Sequence, residues 1–285
     1  WGMDFVVNFK TLDNLYFIAE IGINHNGDIG ITKKLIDASF ATSWDCVKFQ
    51  KRNPDVCVPN HQKDVMRDTP WGRMTYLEYK HKVEFGKEEY DYIDSYCKEK
   101  PIDWTVSVWD IDSVNFISDY DVPFIKIPSA MLTNDELIEA TIGTKKQIIL
   151  STGMSTIEEI DHAVDVLGKS NFTLLHCNST YPAPEEDLNL NNIKMMQNKY
   201  NVPIGYSGHE QDLEACMVAV TLGANIIERH ITLDHNMWGT DQKSSLEVVA
   251  MDMLKKRCNN IQMMLGSYER KVSDSEKEIR KKLRG

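Results

Sequence analysis

The sequence predicts an α/β protein, a (β/α)8 TIM barrel, on three observations. Short apolar runs alternate with helix-length segments eight times along the 285 residues. The apolar runs are dense in Ile, Val, Phe and Leu, as expected of parallel strands covered on both faces. No Gly-x-Gly-x-x-Gly turn follows the first run, which argues against an open doubly wound sheet.

The first strand is predicted at 15–21, followed by the loop 22–28 and a helix with helical apolar spacing at 31–40. A second strand at 45–50 leads into the polar stretch 51–86, too long for an ordinary connection and therefore a functional loop or small insertion. A helix at 87–98 ends before Pro101; strand 103–109 and helix 111–118 follow. Strand 122–127 precedes a helix at 135–141 capped by Thr133 or Asn134. After strand 147–150, Ser155-Thr156-Ile157-Glu158 reads as a capping box for a helix running to Leu167. Strand 172–177 and helix 190–199 come next. The last two strands run from Val202-Pro203-Ile204 into Gly205-Tyr206-Ser207-Gly208-His209-Glu210, and from Ala224-Asn225-Ile226-Ile227 into Glu228-Arg229-His230. The apolar segment 213–222 between them is closed by Gly223, and 246–265 forms a long final helix. The charged stretch 269–285 reads as a solvated tail beyond a barrel spanning 1–268.

Composition narrows the function classes. The length allows a large core, and no apolar run can span a membrane. Trp1-Gly2-Met3-Asp4-Phe5 lacks the basic start and apolar core of a signal peptide, and Trp1-Gly2 before Met3 has the look of a cloning remnant. Six scattered cysteines argue against a zinc knuckle or disulfide framework and for a reducing, cytoplasmic setting. A net charge of −11 argues against nucleic acid as a partner.

In such a barrel the loops after the strands build the active site. The polar residues at strand ends are Glu20, Lys48, Gln50, Ser107, Lys126, Ser129, Ser151, Ser179, Tyr181, Ser207, His209, Glu228 and His230. The strand–helix–strand unit around His209 and His230 opens both strand ends on one face, so the two imidazoles can share a metal ion with positions open to water or substrate; two structural histidines are the bland alternative. Lys48 and Lys126 are embedded in apolar strands, where an ammonium is costly unless it meets an anion. They predict either a structural ion pair or a pocket for a multiply charged small anion, with the serines as hydroxyl donors. Ser151-Thr152-Gly153-Met154-Ser155, just before a helix, offers backbone N–H groups for phosphate. His61, His81, His162 and His235 read as surface or loop residues, and His25 and His176 as neighbours of the site.

Several segments in order resemble the sialic acid (N-acetylneuraminate) synthase family: Ile18-Ala19-Glu20-Ile21-Gly22-Ile23-Asn24-His25-Asn26-Gly27, Val47-Lys48-Phe49-Gln50, Phe124-Ile125-Lys126-Ile127-Pro128-Ser129, Ser151-Thr152-Gly153-Met154, His176-Cys177-Asn178-Ser179-Thr180-Tyr181-Pro182, 204–209 and Glu228-Arg229-His230. The resemblance implies condensation of phosphoenolpyruvate with N-acetylmannosamine or its 6-phosphate, release of phosphate, and use of Mn²⁺ or Mg²⁺. It implies metal ligation by His209 and His230, and phosphoenolpyruvate contacts at Lys48, Ser107, Lys126, Ser129, Ser151, Ser179 and Ser207. Tyr181 and Asp241 fall on the sugar side, Gln50 at the substrate, and Glu20 on the family's active-site glutamate. The candidate catalytic residues are thus Glu20, Lys48, Lys126, His209 and His230. Pro70 to Lys80 resembles the loop over the sugar site of animal-type enzymes. The family dimerises, which implies a homodimer.

Two departures from the family pattern stand out. Ala130-Met131-Leu132 replaces an acidic residue, which leaves a related nonulosonic acid of legionaminic type open. Ser273 to Arg280 resembles the start of the linker to an antifreeze-like lid domain, and the chain reaches Gly285 without that domain; the expectation is weakened sugar binding with phosphoenolpyruvate binding intact. The alternatives are a phosphoenolpyruvate–aldose condensing barrel of the KDO-8-phosphate or DAHP synthase kind, and a ligand-binding barrel without turnover.

Overall fold

Eight parallel strands close into a barrel, each beside its neighbours in chain order and the last paired with the first. The computed structural model describes Phe9 and residues 14–284; the reading of Trp1 to Phe5 lies outside them. The barrel strands are β1 Tyr16–Gly22, β2 Cys46–Lys51, β5 Asp103–Val108, β6 Phe124–Ile127, β7 Gln147–Ser151, β8 Phe172–His176, β9 Ile204–Gly208 and β10 Ile226–His230. Each is followed by a helix on the outer ring: α1 Ile29–Ala41, α5 Lys87–Glu99, α6 Ile111–Ser118, α7 Asp135–Gly143, α8 Ile157–Leu167, α9 Asn191–Tyr200, α10 Glu214–Thr221 and α11 Val248–Leu265. The predicted eight-unit barrel is the observed one.

The period-two alternation of the strands sorts their residues between two cores. Phe17, Ala19, Val47, Phe49, Val106, Ile125, Ile127, Leu150, Leu174 and Ile227 face outward and join the helices in the large core. Tyr16, Ile18, Cys46, Phe124, Ile149, Leu175 and Ile226 fill the barrel's lower interior together with Phe9. One step further along the same inward faces the apolar floor ends and the polar strand-end residues begin. Closure of the ring then sets their neighbours: Glu20 pairs with His230 on one side and Lys48 on the other, Gln50 with Ser107, Ser107 with Lys126, and Glu228 with Ser207.

The stretch 51–86 is an insertion with its own structure rather than a bare loop. It holds α2 Pro54–Cys57, α3 Asn60–Lys63, the antiparallel hairpin β3 Met66–Thr69 and β4 Gly72–Thr75, and α4 Tyr76–Val83. Trp71 and Tyr79 pack edge-on against Trp238, with ring centroids 5.6 and 5.1 Å away, which fastens the insertion to the loop after β10.

The capping box of α8 is shifted by one residue from the prediction. Thr156 caps Glu159, and the Glu159 carboxylate accepts from the Thr156 backbone N–H at 2.8 Å. The run Ser155-Thr156-Ile157-Glu158-Glu159 contains the pattern in two registers, and the chosen one buries Ile160, Ala163 and Leu167 against the barrel. Asn134, one of the two predicted caps, caps α7. Beyond α11, α12 Asp274–Arg284 is exposed along its length.

Candidate active site

At the C-terminal mouth of the barrel, a cavity of about 170 Å³ is lined by Glu20, Lys48, Gln50, Ser107, Lys126, Ser129, Ser151, Ser179, Tyr181, Ser207, His209 and His230. Every candidate site residue is therefore in one cavity except Asp241, which stands beside it, its Oδ2 4.0 Å from His230 Nδ1. The amines and imidazoles open at the same rim.

The floor is an ion network. Lys48 Nζ lies 2.6 Å from Glu20 Oε2 and 3.5 Å from Glu228 Oε1, and donates to Ser107 Oγ at 2.7 Å. Lys126 Nζ is 3.8 Å from the same Glu228 oxygen, to which Ser207 Oγ donates at 3.2 Å. Two ammonium groups and two carboxylates thus share a space where each is no more than 5 % exposed. Burial works to lower the Lys48 ammonium, but Glu20 and Glu228 outweigh it and hold it above its ordinary value. Burial lowers Lys126, and its proximity to Lys48 adds to the effect against the pull of Glu228. Burial pushes the Glu20 carboxyl up to about 7, opposed by Lys48 and reinforced by Glu228. Burial resists ionisation of Glu228, yet Lys126, Lys48 and the two histidines bring it well below the carboxylate range.

Glu228 is the cavity residue that sequence reasoning underrated: it stood among the strand-end residues without a role, and the structure sets it between the two lysines. Its one signal is alternation. Arg229 points outward into a buried pair with Glu210, Nη1 to Oε1 at 2.8 Å, which leaves Glu228 and His230 facing inward. Cys177, also on the cavity wall with its Sγ 3.2 Å from Ser129 Oγ, had no signal beyond the same alternation.

One wall gathers serine hydroxyls around Gly153 into a cradle. The Gly153 backbone N–H donates to Ser129 Oγ at 3.0 Å. A Cβ on Gly153 would stand 2.3 Å from Ser179 Oγ and 2.9 Å from Ser129 Oγ and Cys177 Sγ, so only glycine lets these groups converge. The Ser151 hydroxyl beside it is buried with no hydrogen-bond partner among the described residues. Such orphaned donors are costly unless a ligand engages them.

The histidines form the opposite wall, with ring centroids 5.8 Å apart. His209 Nδ1 donates to the Asn178 carbonyl. That leaves its Nε2 as the acceptor, facing the Tyr181 hydroxyl at 3.0 Å. His230 Nδ1 is buried without a hydrogen-bond partner among the described residues. Burial, helped by His230, lowers His209 to about 4, and burial lowers His230 as well, so both rings are neutral near pH 7. Gly208 permits this turn: a Cβ there would stand 2.7 Å from the Glu210 carboxylate that anchors Arg229. The remaining histidines sit apart from the cavity lining. His25 stacks on Phe85 with centroids 4.0 Å apart, His176 Nε2 donates to the Leu188 carbonyl at 2.7 Å, and His61, His81, His162 and His235 are exposed.

Comparison with known proteins agrees with this arrangement. The sequence model of the NeuB family matches residues 35–270. An N-acetylneuraminate-9-phosphate synthase of Drosophila melanogaster is 36% identical over 98% of this chain and 75% of its own length. An N,N'-diacetyllegionaminic acid synthase of Campylobacter jejuni is 35% identical over 94% of this chain and 81% of its own. The crystal structure of an N-acetylneuraminic acid synthetase from Leptospira borgpetersenii, in complex with citrate, superposes with a TM-score of 0.85 at 32% identity, covering 95% of this chain and 93% of that one. A truncated 3-deoxy-D-arabino-heptulosonate 7-phosphate synthase from Thermotoga maritima shares the barrel, with a TM-score of 0.68 at 13% identity and coverage of 89% of this chain and 88% of that one. Closed barrel, polar strand ends and matched sequence converge on one conclusion: the chain belongs to the NeuB family, whose named members here are sialic acid and legionaminic acid synthases.

Proposed function

We propose that the protein is a transferase that condenses phosphoenolpyruvate with an N-acetylated hexose, N-acetylmannosamine or its 6-phosphate, to form a nine-carbon sialic-acid-type product. The observation that carries this reading is the convergence of Lys48 and Lys126 on Glu228 at the floor of a cavity walled by two neutral histidines. The two ammonium groups, paired with carboxylates in the free protein, are the groups able to turn toward the negative charges of a phospho-acid.

In this reading Lys48, Lys126, Ser107 and Ser207 hold the carboxylate end. The cradle of Ser129, Ser151, Ser179 and Gly153 takes the phosphate, whose oxygens accept from hydroxyl donors. C3 of the phosphoenolpyruvate forms a bond to the aldehyde carbon as its C2=C3 π bond opens, and the aldehyde oxygen gains a proton, balanced by the one given up by the water that adds at C2. Positive charge develops at C2, where Glu20 is placed to stabilise it. Water adds at C2, and the C–O bond breaks to release phosphate. Glu20, with its carboxyl near 7, is the group able to take the proton of that water near neutral pH. Gln50, whose Nε2 donates to Glu20 Oε1 at 3.2 Å, fixes that carboxyl's orientation. Tyr181 and Asp241, beside the histidines, contact the sugar.

His209 and His230 fit a divalent cation, Mn²⁺ or Mg²⁺: both rings are neutral, and each keeps a nitrogen free of any carbonyl partner. Two imidazole donors favour Mn²⁺ over Mg²⁺, which prefers oxygen ligands. When bound, such an ion supplies Lewis-acid polarisation of a carbonyl oxygen.

Product mass and phosphate release test the proposal with phosphoenolpyruvate and N-acetylmannosamine, its 6-phosphate or arabinose 5-phosphate. The expected result is a nine-carbon acid with one phosphate released per molecule. Turnover of arabinose 5-phosphate alone would place the protein among the other condensing barrels, and absence of phosphate release would leave a binding barrel. The Drosophila relative is named for a phosphorylated product and the Campylobacter relative for an unphosphorylated one. The enolpyruvyl carbons become C1 to C3 of the product, so a phosphate on its C9 enters on C6 of the sugar.

A further inference from the structure

Above the cavity, the insertion places three cations together with no carboxylate in ion-pair contact among the described residues. Lys80, on α4, is only 9 % exposed, and its ammonium lies 5.2 and 5.3 Å from the ring centres of Tyr76 and Tyr79. Arg67, on β3, lies over the other part of this cluster with its guanidinium 4.3 Å from the Tyr76 ring centre. Arg52, just after β2, stacks 4.3 Å above Trp109. Among the described residues, none of the three side chains forms an ion pair with a carboxylate. Arg52 Nε is in addition buried with no hydrogen-bond partner. Burial lowers Lys80 to about 8, and Arg52 and Arg67 push in the same direction while Asp241 and Glu84 oppose them. Glu84 is already engaged by Lys51 at 2.7 Å. A buried lysine facing two arginines is an expensive arrangement for a scaffold, and an anion relieves it.

The cluster is continuous with the active site on two sides. Arg52 Nη2 donates to Gln50 Oε1, and Gln50 reaches Glu20; Trp109, under Arg52, lines the cavity. Asp241, the acid that acts on Lys80, is 4.0 Å from His230. A six-carbon acceptor with its aldehyde at the histidines therefore extends its far end toward these cations. From this geometry we infer that the acceptor is a phosphorylated aldose, and that Arg52, Lys80 and Arg67 form the subsite for its phosphate. This rests on the condensation proposed above and adds the substrate class. Arg52 and Arg67 offer planar forks for two phosphate oxygens and Lys80 a point charge.

The test compares kcat/KM for N-acetylmannosamine and its 6-phosphate. The wild-type protein prefers the 6-phosphate by about tenfold or more, as a charge-assisted contact requires. Lys80→Met keeps the stem over the two tyrosines and reduces that preference by about tenfold, through KM; Lys80→Arg restores part of it. Equal use of both sugars by the wild type, or an unchanged ratio in Lys80→Met, overturns the subsite. If neither sugar turns over, the condensation fails and calorimetry decides the subsite separately. Binding of the 6-phosphate that depends on Lys80 sustains it, and absent or Lys80-independent binding overturns it.

Discussion

Lys126 Nζ stands 3.8 Å from Glu228 Oε1, and that one carboxylate oxygen also faces Lys48. The arrangement makes Glu228 the stand-in for ligand charge when no anion is bound. Glu228→Gln leaves the two ammonium groups with Glu20 alone, and breaking a buried pair in this way costs about 3–5 kcal/mol. Urea unfolding should show that loss. Phosphoenolpyruvate should raise the melting temperature more in Glu228→Gln than in the wild type, because the dianion restores the missing charge. Equal stabilisation of both proteins would remove Glu228 from this role.

The raised carboxyl of Glu20 gives stability a pH signature. Its value moves from an ordinary 4.5 in the unfolded chain to about 7 in the folded one, so the folded state binds the proton more tightly. The resulting contribution is fully present below pH 4.5 and is lost as pH rises through 7, worth about 3 kcal/mol at most for this fully buried group. Glu228, lowered, works in the opposite sense: its contribution is fully present above pH 4.5 and is lost only in more acidic solution, so it adds no slope between pH 5 and 8. Glu20→Gln should flatten the decline of unfolding free energy between pH 4.5 and 7.5; an unaltered slope would show that Glu20 is not the titrating group.

Filling the cradle at Gly153 tests the phosphate wall. Gly153→Ala puts a methyl 2.3 Å from Ser179 Oγ, and either the serines move apart or the methyl takes the ligand's place. KM for phosphoenolpyruvate should rise about tenfold or more, by loss of one or two hydroxyl contacts, with a smaller change for the sugar. A shift confined to the sugar would relocate the phosphate elsewhere.

How far the sequence carried follows from what each signal is made of. Strand positions were legible because the runs are apolar on both faces, and α6 was read to the residue between Asp110 and Ser118, where Asp110 caps it. The two lysines were legible because an ammonium between Val47 and Phe49, or between Ile125 and Ile127, needs an anion beside it, which left a structural ion pair or an anion pocket; the ion pairs with Glu20 and Glu228 are present. The insertion was legible in its length and in the resemblance of Pro70 to Lys80 to a sugar-site loop, but not in its elements: β3 and β4 are short and largely exposed, so no apolar period marks them. Glu228 was not separable from its neighbour, since Glu-Arg in sequence reads equally as a pair; only ring closure shows Arg229 outside with Glu210 and Glu228 inside with the lysines. The role expected of Asp241 came from the resemblance, and the loop after β10 places it beside His230.

A divalent ion at the histidines makes its own prediction. Mn²⁺ bound to the protein loses its free-ion paramagnetic signal, and titration should give one site per chain. The site should vanish in His209→Ala and in His230→Ala. Exhaustive chelation should abolish turnover, and added Mn²⁺ should restore it. Full turnover after chelation, or Mn²⁺ binding untouched by both substitutions, would separate the histidines from any metal.

The most direct measurement is a calorimetric titration of phosphoenolpyruvate, without sugar, into the wild type, Lys48→Met and Lys126→Met. The account predicts binding to the wild type and a loss of about a hundredfold in each variant, from one charge-assisted contact of roughly 3 kcal/mol. Undiminished affinity in either variant would contradict it.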